Sequence, residues 1–125
     1  MDMNHYEYSA QVALERLKAG NRRFVEESFA TLDISRAVLK RFTDYGQHPY
    51  AIVIACSDSR VVPEMILGAG IGDLFVIRLA GNVIDDHQLG SIEYAAEHLG
   101  TGLVVVLGHT HCGAIDAVLK GHSGE

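Results

Sequence analysis

Apolar positions change their period about a third of the way along the chain. In the first part, Val12, Leu14, Leu17, Phe24 and Val25 recur at roughly helical spacing. Ser9 is placed as an N-cap, so a helix is expected to about Glu27, with Gly20-Asn21 as a candidate kink or early stop. Residues 31–44 read as a second, weaker helix closed by Tyr45-Gly46 and Pro49. From Tyr50 onward the apolar residues run together and become β-branched. Residues 50–55, 73–78 and 103–108 each read as a strand covered on both faces. Helical stretches lie between and after them. A short one opens near Pro63. Another, Asp86–Leu99, carries Leu89, Ile92, Ala95, Ala96 and Leu99 on one stripe closed by Gly100. A last one, Ala114–Lys120, stops at Gly121. Residues 1–8 read as a loose arm.

Strands alternating with helices predict an α/β fold: a parallel sheet core with flanking helices and an N-terminal helical arm. The 125 residues fit one domain, with an arm over 1–45 and a core over 50–121. Apolar residues at 48%, charged residues at 21% and only 2 Pro exclude a disordered or collagen-like chain. The formal charge of −6, with no dense Lys/Arg cluster, makes nucleic acid and anionic membrane poor partners. No apolar run approaches the ~20 residues that span a bilayer. The polar, acidic start matches neither a secretory signal nor a transit peptide, so a cytoplasmic location is expected. In that compartment two cysteines read as ligands, nucleophiles or buried thiols before a structural disulfide.

In a parallel sheet, ligands sit beyond the carboxyl ends of the strands. The first strand runs into Cys56-Ser57-Asp58-Ser59-Arg60, and the third into His109-Thr110-His111-Cys112-Gly113. Extended backbone would project Cys56, Asp58 and Arg60 to one side. His109 and Cys112, three apart at the start of a helix, can converge on one point. Adjacent parallel strands would then join the two groups. Two thiolates and one imidazole make a zinc set, and three protein ligands plus an open position is the catalytic pattern. Alone, each piece has a plainer reading: a buried thiol, a solvated histidine, a structural Asp–Arg pair. A thiol redox pair is the chemical rival, but the chain has no C-x-x-C. Gly68-Ala-Gly-Ile-Gly72 has nucleotide-loop spacing yet follows a helix and precedes a strand, the wrong order for that role. Asp85-Asp86 reads as a helix start. His111 is expected to point away from the metal, and His5, His48, His87, His98 and His122 read as surface residues. Arg78, a charge ending an apolar strand, needs a partner.

Cys56-Ser-Asp-Ser-Arg60 followed by His109-x-x-Cys112-Gly113 resembles the signature of the β-class carbonic anhydrases. Leu17–Phe24, Gly72–Arg78 with Ala80-Gly-Asn82, and Gly90–Ala95 resemble further segments of that family, so the likeness spans residues 10 to 121. The resemblance implies reversible hydration of carbon dioxide to bicarbonate by zinc-bound hydroxide. It makes Cys56, His109 and Cys112 the Zn2+ ligands. Asp58 and Arg60 become the catalytic pair, with Arg60 holding Asp58 off the metal. It implies that Gln47 bonds substrate, that Phe75 and Tyr94 form apolar pocket walls shared across a dimer interface, and that Gly113 presents backbone to the pocket. A homodimer or higher homo-oligomer follows. Some members carry a Trp three residues before the first ligand, within an inhibitory bicarbonate site; Val53 stands there instead. In the family the sheet continues beyond the His-x-x-Cys helix, so a three-stranded sheet with unprotected edges is expected here. Two alternatives share these residues: hydrolysis of carbonyl sulfide or carbon disulfide on the same fold, and a non-catalytic zinc-binding assembly protein.

Overall fold

The computed structural model describes residues 9–28 and 32–121; the arm over 1–8, His5 and His122 lie outside them. Helices α1 (Ala10–Val25) and α2 (Arg36–Tyr45) precede strand β1 (Ala51–Ala55). Helix α3 (Pro63–Ile66) leads to β2 (Leu74–Arg78), and α4 (Asp86–Glu97) leads to β3 (Val104–Leu107) and α5 (Gly113–Leu119). The three strands are parallel in the order β2-β1-β3. β1 is therefore central, and all five of its residues are buried. Ile52 and Val53 are fully enclosed, each contributing about 1.5–3 kcal/mol by leaving water. Ala13 and Leu17 of α1 pack on this strand together with Tyr50 and Leu67.

The helix starts are set by local chemistry. The Ser9 and Ser35 hydroxyls accept from the Val12 and Val38 N–H groups. Asp85 caps α4 in a capping box with Gln88, which confirms the reading of Asp85-Asp86 as a helix start.

Two expectations need correction. Gly20-Asn21 neither kinks nor ends α1, which runs on to Val25. Its role is tertiary: a Cβ at Gly20 would stand 1.8 Å from the Leu67 carbonyl oxygen, so glycine is what lets α1 and α3 meet. Asn21 Nδ2 then donates to the Ile66 carbonyl at 3.0 Å, satisfying a helix-end acceptor. The second correction is to β3, which is not covered on both faces. Its residues alternate between exposed and half-buried, with Val104 and Val106 exposed. As an edge strand it pairs only with β1, and no described element covers its outer face.

Candidate metal centre

β1 and β3 are neighbours, and their last register pair is Ala55↔Leu107. Their carboxyl ends therefore release the two motif loops side by side. Cys56 follows β1 directly and is buried. His109 lies in the loop after β3, and Cys112 is the N-cap residue of α5. Between them His111 adopts a left-handed φ of 56°, a bend not legible from residue type. The result is one cluster: the ligand atoms of Cys56, His109 and Cys112 lie within 4.8 Å of one another. No other such group occurs among the described residues. His48, His87 and His98 are exposed and apart from it.

The donor set fits zinc on two counts. The Cys56 and Cys112 sulfurs are 3.8 Å apart, close to the separation that two ~2.3 Å Zn–S bonds subtend at a tetrahedral angle. His109 Nδ1 sits 2.8 Å from the Thr110 carbonyl, which can only accept, so Nδ1 carries the proton. Nε2 is then a lone-pair donor, and it is buried with no hydrogen-bond partner. A buried, unpaired acceptor beside two thiols is what a metal would satisfy. The Cys56 thiol is pulled down to about 6, first by the Gly81 N–H and next by His109. The His109 imidazole is raised in turn, chiefly by Cys56.

Asp58 and Arg60 come together by a turn at residues 59–60 and not by the extended backbone expected. The Arg60 backbone N–H donates to Asp58 Oδ1 at 2.9 Å, folding the chain back. The guanidinium then grips both oxygens, Nε to Oδ1 at 3.2 Å and Nη2 to Oδ2 at 2.9 Å. Nη2 also donates to the His111 carbonyl at 3.1 Å, tying one motif loop to the other. This grip holds the Asp58 carboxyl well below the usual carboxylate range.

Arg78 meets its requirement for partners within the site. Its Nε donates to the Cys56 carbonyl at 2.8 Å and its Nη2 to the Asp58 carbonyl at 2.6 Å. Gly113 borders a cavity of about 440 Å³ beside the cluster, with His109, His111, Cys112, Ile115 and Asp116. Gln47, Phe75 and Tyr94 are not brought there within one chain. Gln47 precedes β1, at the end of the sheet opposite Cys56. Phe75 pairs with Ile52, toward that same end, and its ring lies 6.0 Å from that of exposed Tyr94. A second cavity of about 410 Å³, lined by parts of α1, α2 and α3, lies away from all of this chemistry.

The family model described as carbonic anhydrase matches residues 51–125, the stretch that holds both motif loops. The chain belongs to the carbonic anhydrase family. "Carbonic anhydrase 2" of Mycobacterium tuberculosis is 48% identical over 111 residues, covering 86% of this chain and 51% of that relative. Among solved structures, the β-carbonic anhydrase CcaA aligns with a TM-score of 0.63 at 39% identity, over 86% of this chain and 53% of its own. One of two tetrameric β-carbonic anhydrases from Sordaria macrospora aligns with a TM-score of 0.61 at 30% identity, over 87% and 52%. The chain thus spans about half the length of the carbonic anhydrases it matches. The fold expected from the sequence, a parallel α/β sheet of β-carbonic anhydrase type, agrees with these neighbours.

The family likeness includes Ala80-Gly-Asn82, but sequence reasoning assigned this turn no contact with the cluster. Gly81 N–H donates to Cys56 Sγ at 3.4 Å, and Asn82 Nδ2 donates to the Leu107 carbonyl at 2.7 Å. Neither residue type advertises a metal centre. The sequence signal was the likeness of Ala80-Gly-Asn82 to the family, two residues after the charge of Arg78 that ends an apolar strand.

Proposed function

We propose that Cys56, His109 and Cys112 hold Zn2+ and that the site catalyses reversible hydration of carbon dioxide to bicarbonate. The observation that carries this reading is the convergence of two thiols on the unpartnered Nε2 of His109, with Asp58 held outside that group by Arg60. Zinc bound there would lower the pKa of a water toward neutrality, supplying the nucleophile. With both carboxylate oxygens engaged by Arg60, Asp58 would be held back from the metal and would leave room for that water. Asp58 would accept a hydrogen bond from the attacking water and so orient its lone pair on carbon. Arg60 fixes Asp58 and, through the His111 carbonyl, keeps both loops in register. Gly113 presents backbone to the adjoining cavity.

Gln47, Phe75 and Tyr94 lie toward the far end of the sheet from their own chain's cluster. They serve a substrate pocket only across an interface, which supports a homodimer or higher homo-oligomer as the working form. No helix among the described residues is long and apolar enough to cross a membrane. Stopped-flow carbon dioxide hydration, with and without a zinc chelator, tests the activity. Hydration that the chelator abolishes and zinc restores is expected; zinc-loaded protein without hydration would overturn the catalytic reading and leave a zinc-binding assembly role.

A further inference from the structure

The turn after β2 supplies no ligand, yet it touches all three pieces of chain that do. The strand order puts β2 on one side of β1 and β3 on the other. A bond from Asn82 to Leu107 therefore crosses over the carboxyl end of β1, where Cys56 sits. The β1–β3 ladder has its last pair at Ala55↔Leu107. Where it stops, the Asn82 side chain supplies a donor to the Leu107 carbonyl at 2.7 Å. Under this strap the Gly81 N–H meets Cys56 Sγ at 3.4 Å. A Cβ at Gly81 would stand 3.3 Å from Ile115 Cδ1 and 3.5 Å from Ala114 Cβ, so the turn also rests on the start of α5, which Cys112 caps. Gly81 and Asn82 both take left-handed backbone, with φ of 70° and 60°. Glycine and asparagine are the residues that tolerate it.

We propose that Asn82 is a positioning residue for the metal centre, locking the strap so that Gly81 stays bonded to the Cys56 sulfur and the gap between Cys56 and the His109–Cys112 loop stays fixed. This rests on the reading of Cys56, His109 and Cys112 as ligands. The strap acts on the metal from outside its ligands, through a sulfur hydrogen bond and through the spacing of two strand ends.

The test compares the full chain with Asn82→Asp and Asn82→Gly, each loaded with Co2+ for spectroscopy and with Zn2+ for chelator competition. Asp keeps the size and the backbone tolerance but has no N–H to give Leu107. Gly keeps the backbone conformation, lacks the side chain and adds no charge. Both variants should shift the sulfur-to-cobalt charge-transfer band and weaken zinc binding by about 10–100-fold. Parent-like spectra and zinc affinity, with only a lower melting temperature, would overturn the proposal. So would failure of both variants to fold in the presence of zinc, read by far-UV circular dichroism, because Asn82 would then serve the fold and not the centre. A parent chain that gives no tetrahedral cobalt spectrum would overturn the ligand reading itself, a result visible before any variant is made.

Discussion

Arg60 makes four hydrogen bonds around the cluster, three to Asp58 and one to the His111 carbonyl. Its loss therefore acts on orientation before it acts on metal binding. Arg60→Ala should keep about one zinc per chain yet lower hydration about 10–100-fold, measured by metal analysis beside stopped-flow rates. It should also release the Asp58 carboxyl upward toward the ordinary ~3.9 of an aspartate, as read by carboxyl 13C shifts against pH. The sign follows from the lowered folded value. Pairing with Arg60 stabilises the fold above the unfolded value, and that contribution is lost as pH falls through the folded one. The stability gap between parent and Arg60→Ala should thus be largest above about pH 4 and close below it. Cys112→Ser differs in kind: it should lose stoichiometric zinc, and with it some fold stability, because metal binding and folding are coupled. Retention of a full zinc in that variant would remove Cys112 from the ligand set. The individual side chains of the cluster were legible because Cys, His, Asp and Arg carry their chemistry in their identity. The bend at His111 and the donors from Gly81 and Asn82 were not, because a backbone N–H belongs to every residue, a side-chain amide can donate anywhere, and only the folded geometry aims either.

Elements were legible wherever the local pattern and the tertiary environment agreed. The uninterrupted apolar run of residues 50–55 became a strand buried on every side, as such a run requires. The equally apolar run of residues 103–108 became an edge strand with Val104 and Val106 in water. Period and propensity are the same in the two; the difference lies in how many neighbours the sheet order gives each. Gly20 shows the same limit on a helix. Helix propensity reads it as a weak point worth ~1 kcal/mol relative to Ala, whereas its place against Leu67 makes it a contact residue. The two views predict opposite outcomes for Gly20→Ala. Propensity alone would raise stability. A Cβ placed 1.8 Å from a backbone oxygen must instead push α1 off α3. Overpacking of this sort costs roughly 1–3 kcal/mol, so the melting temperature should fall, by about 4 °C per kcal/mol for a domain of this size. A thermal melt of that variant distinguishes the two directly, with no dependence on metal or activity.

At the scale of the whole molecule, large apolar side chains are exposed on several elements, β3 and α5 among them. Val106 is 63% exposed on the open face of edge strand β3, and Val118 and Leu119 are 72% and 81% exposed on the helix that follows it. An edge strand with exposed Val side chains and an exposed apolar helix end are surfaces that chains cover by association. The centre itself points the same way. The cluster is complete within one chain, but Gln47, Phe75 and Tyr94 lie toward the far end of the sheet, so one copy alone builds the metal site without the expected walls of its pocket. Association should therefore raise activity more than it raises zinc content. Light scattering of the zinc-loaded chain should give a multiple of the single-chain mass. Val106→Lys, which places a charge on the open edge, should shift association toward the monomer if that edge is part of the contact. Dilution through the association range should lower the hydration rate per zinc while metal analysis stays at about one per chain. A monodisperse monomer with undiminished hydration per zinc would reject both the shared pocket and the oligomer, and would require that the cavity beside Gly113 accommodate carbon dioxide by itself.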